Sequence, residues 1–169
     1  MARVRGPFDP APVSVSFWLI PVASVMAGSM ITLLPFIAPF GIVPPFGVMM
    51  LIGWRLGKPD ALPIWAPLLF GLFDDLISGQ PLGSAMLLWG SAILAIDLLD
   101  QRLVARDFWQ DWLLASAAIS AILMLGRFIA TPLSAHVDTM LLLQILLSAM
   151  IYPGVTQIVA WLDYKRMEE

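Results

Sequence analysis

Two aspartates stand side by side at Asp74 and Asp75 inside one apolar stretch, and an arginine, Arg127, stands inside another. An ionisable group placed in hydrocarbon costs at least ~2.5–3.5 kcal/mol on insertion scales, so each of the three needs a partner, water or a neutral form. Aspartyl-protease chemistry would need two carboxylates that face each other and share a proton. Consecutive helical residues point about 100° apart and do not face each other. A Gly-x-Gly-Asp signature is also absent, because the run reads Gly71-Leu72-Phe73-Asp74. Two arrangements remain for these charges. Arg127 pairs with one of the aspartates across the helices, or the aspartates sit hydrated at the end of a short helix while Arg127 snorkels to the headgroups. Asp97 and Asp100 lie near the end of a later stretch, within reach of Arg102, and no chemistry is expected of them.

The remaining polar residues offer less. His136 and Asp138 are close in sequence, but a metal would want at least one more nearby ligand. Serines and threonines are scattered with no adjacent base. The chain has no cysteine, which removes disulfides, thiolate nucleophiles and Cys-ligated metals. Neither an enzymatic activity nor a cofactor or metal is expected.

Composition identifies the medium these residues sit in. Of 169 residues, 60% are apolar and 12% charged, against roughly 45–50% and about 25% in a soluble domain. A bilayer core about 30 Å thick needs about 20 mostly apolar residues per helix. Six such segments can be read: Ser14 to Leu34, Ile37 to Trp54, Leu62 to Ile77, Leu82 to Leu99, Trp109 to Ile129 and Met140 to Leu162. The expected fold is an all-α integral membrane protein, a bundle of six transmembrane helices with short loops. Residues 14–162 would form one transmembrane domain between short tails, 1–13 and 163–169. The first segment is longer than the 7–15 apolar residues of a signal peptide and is followed by Pro35, so it is read as a retained helix. With 12 acidic and 9 basic residues, a net charge of −3 and no basic face, nucleic acid is not an expected partner.

Pro39, Gly41, Pro44, Pro45 and Gly47 interrupt the first half of the second segment, which could make it re-entrant. Charge placement argues for a full span. With six spans, Arg3, Arg5, Arg55, Lys58, Arg102, Arg106, Lys165 and Arg166 share one side and leave only Arg127 elsewhere. By the positive-inside rule that side is the cytoplasm, with both termini in it. Trp54, Trp65, Trp109, Trp112 and Trp161 fall at the same ends, where an amphipathic ring prefers the headgroup level, whereas Trp89 lies deep in the fourth span. Small residues recur four apart at Ser24 and Gly28, Gly28 and Thr32, and Ser116 and Ser120, with Ala117 and Ala121 beside them, a spacing that lets helix backbones approach within the bundle or against a partner.

Between the third and fourth segments, Gly79, Pro81 and Gly83 make a tight outer turn, with carboxylates at its approach. Gly71, Asp75, Leu76, Ile77, Ser78, Gly79, Leu82 and Gly83 resemble the signature of the MreD family of bacterial rod shape-determining membrane proteins. Pro45, Trp54, Pro59 and Pro153 fit the same resemblance, while Asp74 departs from it at a position that is usually apolar. Asp75 is therefore the aspartate that the resemblance singles out.

The resemblance implies a non-enzymatic inner-membrane scaffold of the machinery that elongates the cell wall. It implies association with an MreC-like protein, and through it with the MreB cytoskeleton and a RodA-type glycosyltransferase with its transpeptidase. The family is also similar in architecture to the substrate-binding subunits of energy-coupling-factor transporters. Together with the polar residues above, the candidate structural or partner-binding set is Asp75, Asp74, Arg127, Gly71, Gly79, Pro81 and Gly83. The alternative is a vitamin-like small-molecule binding subunit of a transporter. That role needs an outward cavity with convergent polar groups, for which the outer loops offer Gln80, His136 and Asp138.

Overall fold

The computed structural model of the protein describes residues 15–31, 43–100, 107–130 and 139–168. These form α1 (Val15–Met30), α2 (Phe46–Gly57), a single 3-10 turn (Pro59–Ala61), α3 (Ala66–Ser78), α4 (Ser84–Asp100), α5 (Phe108–Ala130) and α6 (Thr139–Glu168), with no strand among the described residues. The helices α3, α4, α5, α6 and α1 contact one another in that order, and α1 closes back on α3. Inside this ring of five lies α2, which touches α1, α4, α5 and α6.

The sequence of α2 suits that position. It is apolar on every face, and Gly47 to Trp54 and Leu56 are all buried, as befits a helix enclosed on all sides. Pro44 and Pro45 precede it, and Pro59 follows its last turn, so it is limited to 12 residues, roughly 18 Å. Its helical start is therefore Phe46, later than the expected Ile37, because two consecutive prolines disfavour helix in the residues before them. Pro39 and Gly41 lie outside the described residues.

Close approach of α1 to α2 depends on two glycines. A Cβ on Gly28 would lie 3.0 Å from the Gly47 nitrogen and the Phe46 carbonyl group, and one on Gly47 would meet the Ser29 hydroxyl. The Ser24–Gly28 face thus packs inside the bundle, while Thr32 lies outside the described residues. On α5 the small residues turn outward instead. Ala115, Ile119 and Ile122 are its buried side, Ala117 and Ala121 are exposed, and the Ser120 hydroxyl donates to the Ser116 carbonyl at 2.6 Å. Four-residue spacing marks a face without saying which way it turns.

α5 and α6 are long and apolar enough to cross a bilayer, at roughly 35 and 45 Å. Their outward faces carry exposed Leu113, Leu125, Phe128, Leu143, Leu146, Met150 and Ile158, a continuous apolar surface that water would not tolerate. Pro153 sits within α6 and lacks the N–H that would bond the Ala149 carbonyl. The Trp112 indole on α5 donates to that freed carbonyl at 2.8 Å.

The end of the bundle opposite the α3–α4 turn is held by charge pairs. Arg55 on α2 grips Asp97 on α4 with two bonds of 2.7 Å and also donates to the Pro59 carbonyl. Asp97 is therefore held by Arg55, whereas the expected partner Arg102 lies outside the described residues. Asp163 takes Arg166 at 2.6 Å and Lys58 at 3.2 Å, and the buried Arg166 guanidinium lies 5.4 Å from the Trp54 ring centre. These contacts carry α6 through Asp163 and Arg166 to Glu168, beyond the expected end at Leu162. Trp54 itself is fully buried and donates to the Ser24 hydroxyl at 2.8 Å, so it is a core residue and not an interfacial one. Trp65, Trp109 and Trp161 are exposed, and Trp89 is buried.

Arg55→Leu should lower stability by about 2–4 kcal/mol, because it leaves a largely buried carboxylate without its cation, and adding Asp97→Leu should recover much of the loss. Thermal unfolding in detergent of the two single variants and the double variant checks this. Losses that simply add would show that the two residues act independently.

Candidate functional site

The stretch from Gly71 to Gly83 builds one compact arrangement. α3 is apolar with Pro67 in its first turn, where a missing N–H is harmless, and ends at Gly79, whose φ of 69° is the left-handed conformation that stops a helix. Gly83 also has a positive φ, 95°. Between them the chain reverses direction in a few residues, with Pro81 exposed in the turn, and α4 starts at Ser84.

The first turn of any helix has N–H groups with no partner inside the helix. Here Asp75, reaching across from α3, supplies the acceptors. One carboxylate oxygen takes the Ser84 hydroxyl and the Ala85 N–H, each at 2.9 Å. The other takes the Gly83 N–H at 2.8 Å and the Met86 N–H at 3.3 Å. The carboxylate is 1% exposed, and the positive end of the α4 dipole lies against it.

Gly71, one turn before Asp75 and on the same face, makes this reach possible. A Cβ there would lie 2.5 Å from the Met86 Cα and 2.6 Å from the Ala85 carbonyl oxygen. Gly71 thus admits the backbone of α4, and Asp75 fastens it.

Asp74 points elsewhere. With Gln80, Trp89, Gly126, Arg127 and Gln144 it lines a cavity of about 270 Å³ that Pro45 also borders. The cavity lies beside the start of α2. The Gln144 amide donates to the Val43 carbonyl at 2.6 Å. Among the described residues no ion pair joins Arg127 to Asp74 or Asp75; Arg127 makes other contacts.

The structure thus separates the adjacent aspartates: Asp75, Gly71, Gly79 and Gly83 act together in the hairpin, while Asp74 and Arg127 border one cavity. Gln144 and Gly126 were not singled out from sequence, although a glutamine inside a long apolar span is a usable signal. His136 and Asp138 lie outside the described residues, and no group of three or more metal-ligating side chains occurs among those described.

A second concavity is almost wholly apolar. It is a groove of about 650 Å³ between α1 and α6, with Ala23, Ala27, Gly28 and Gly154 leaving room along its length. A Cβ on Gly154 would meet nothing within 4 Å.

In the hairpin both oxygens of Asp75 are occupied by donors. What it accomplishes is the placement of two helices.

Compared with known families, residues 13–162 match the family model described as MreD, rod shape-determining protein MreD. No curated protein matches. No solved structure matches.

Asp75→Asn should cost at least ~2 kcal/mol, because an amide NH₂ then faces backbone donors where a charge-assisted acceptor stood. Asp74→Asn, which leaves that cap intact, should change stability by about 0.5 kcal/mol or less. Melting of both variants in the same detergent checks the contrast, and equal losses would show that Asp75 has no special structural part.

Proposed function

The chain belongs to the MreD family of rod shape-determining proteins, and from that premise we propose that it is a non-enzymatic six-span scaffold of cell-wall elongation. In this reading residues 14–162 form one transmembrane domain in the bacterial inner membrane. The end carrying Arg55, Lys58, Lys165 and Arg166 faces the cytoplasm with both termini, and the Gly79–Gly83 turn faces outward. Its partner is an MreC-like membrane protein, through which it positions a RodA-type glycosyltransferase and its transpeptidase and meets the MreB cytoskeleton indirectly.

The observation that carries the reading is how the family signature is used. Gly71, Asp75, Gly79 and Gly83 all go into fixing the relative position of α3 and α4, a purely structural use of the signature that suits a scaffold. Binding energy is then available from the lateral surface. The groove between α1 and α6 is almost wholly apolar, with Ala23, Ala27, Gly28 and Gly154 set among larger aliphatic side chains, so a single apolar helix could approach closely at the small residues by van der Waals packing. We assign that groove to the partner's transmembrane helix.

Gly154→Leu tests the assignment without disturbing the fold, since the new side chain enters open space and a helix interior favours leucine over glycine. The full chain, tagged after Glu169 and extracted from native membranes in mild detergent, should co-purify an MreC-like protein with RodA or its transpeptidase. Gly154→Leu should keep the melting temperature and lose that partner at least tenfold. Undiminished recovery by the variant would remove the groove from the interface. Recovery of ATPase subunits with a vitamin-like molecule would replace the scaffold by a transport subunit.

Orientation has its own test, because the chain lacks cysteine. Single cysteines at Gln80 and at Gly57 should react with an impermeant maleimide from opposite faces of the membrane, and labelling from the same face would overturn the six-span topology.

A further inference from the structure

At the hairpin end, an open cavity of about 270 Å³ has opposite charges on different helices. Asp74 comes from α3 and Arg127 from α5, and Gln80, Gln144 and Trp89 also line it. Asp75 is answered by the first turn of α4, Asp97 by Arg55, and Asp163 by Lys58 and Arg166. Asp74 has Ser29 of α1 beside it and no ion-pair partner among the described residues. The low dielectric of a membrane interior strengthens any charge that meets it there. Arg127 brings a planar guanidinium to the wall of the same cavity, the fork geometry that carboxylate and phosphate oxygens match. The positive end of the α2 dipole, at Pro45, borders the same space.

We propose that this cavity binds a small zwitterion, with its primary ammonium at Asp74 and its phosphate or carboxylate at Arg127. The volume sets the size class. At 270 Å³ the cavity lies just under the ~300–1,000 Å³ of sites for drug-sized ligands, so it suits a headgroup rather than a vitamin. Two sources share this chemistry, the ethanolamine headgroup of a membrane lipid and a free zwitterion such as phosphoethanolamine. Leu123 and Leu141 also line the cavity and give an acyl chain an apolar exit toward the bilayer.

The site is independent of the partner groove, since the two share no lining residue. Gly126 provides the variant that decides. A Cβ there would meet only the end of Leu88, at an ordinary 3.6 Å, so Gly126→Leu fills the cavity without touching either charge.

Full-length, delipidated protein in detergent is titrated with dihexanoyl phosphatidylethanolamine, phosphatidylglycerol and phosphatidylcholine, and retained lipid is counted by native mass spectrometry. The expected result is at least tenfold greater retention of phosphatidylethanolamine, because phosphatidylglycerol lacks the ammonium and the quaternary amine of phosphatidylcholine has no N–H to donate. D74N, R127Q and G126L should each bring retention down to the phosphatidylglycerol level, with G126L melting no lower than the parent. Free phosphoethanolamine binding as tightly as the lipid, and lost in the same variants, would support the site and assign it to a soluble zwitterion. Equal retention of all three lipids, or a preference that survives G126L, would overturn the proposal.

Discussion

A helix that begins inside packed protein leaves backbone N–H groups that water cannot reach, and each buried donor left unsatisfied costs about 1–3 kcal/mol. α4 begins under this constraint, with Ser84 and Ala85 buried, and the Asp75 carboxylate meets it with four bonds, three to backbone N–H groups and one to the Ser84 hydroxyl. These charge-assisted bonds, each roughly twice as strong as a neutral one, offset the desolvation of the carboxylate. The charge is therefore stabilising in place. The same bonds set the spacing of α3 and α4, and Gly71 is required because any side chain there would hold the backbones apart.

The rest of the bundle follows from a second constraint, the shortness of α2. Prolines on both sides limit it to 12 residues, so it fills the middle and the Arg55 end of the ring but stops short of the hairpin end. Where α2 is present, the interior is packed with Val48, Met49, Leu51, Ile52 and Trp54, all at 1% exposure or less. Beside its start lies the cavity that Asp74, Arg127 and Gln144 border together with apolar side chains. The ring helices compensate for their own irregularities in the same manner: Pro153 frees a carbonyl and Trp112 takes it, so the defect in α6 becomes a tie to α5. Tyr152 and Val155 beside it stay in the core.

Much of this was legible in the sequence, and the exceptions share a cause. The Gly79, Pro81 and Gly83 turn and the close approach at Gly28 follow from local residue chemistry, and the structure shows both. Asp75 was singled out by resemblance, yet its partners were not foreseen. Charge in a sequence invites a search for opposite charge, which suggested Arg127, whereas the groups that answer Asp75 are backbone N–H donors and a serine hydroxyl that composition does not display. Trp54 was misplaced for a related reason. Its position at the end of a segment suggested an interface, but α6 runs on far enough to lay Arg166 over its ring. Asp97 and Arg55 are 42 residues apart, a pairing that depends on the packing of α2 against α4 and has no local signature.

The adjacent aspartates show how one helical turn can carry two separable roles. Because neighbouring side chains diverge by about 100°, Asp75 turns into the α3–α4 contact while Asp74 turns into the cavity. The first position is constrained by backbone geometry, with four donors converging on two oxygens, so even an isosteric amide is a poor substitute there. The second is constrained only by the space it faces, and its chemistry can vary while the hairpin stays intact. That division accords with the signature the sequence resembles, which singles out Asp75 and from which Asp74 departs.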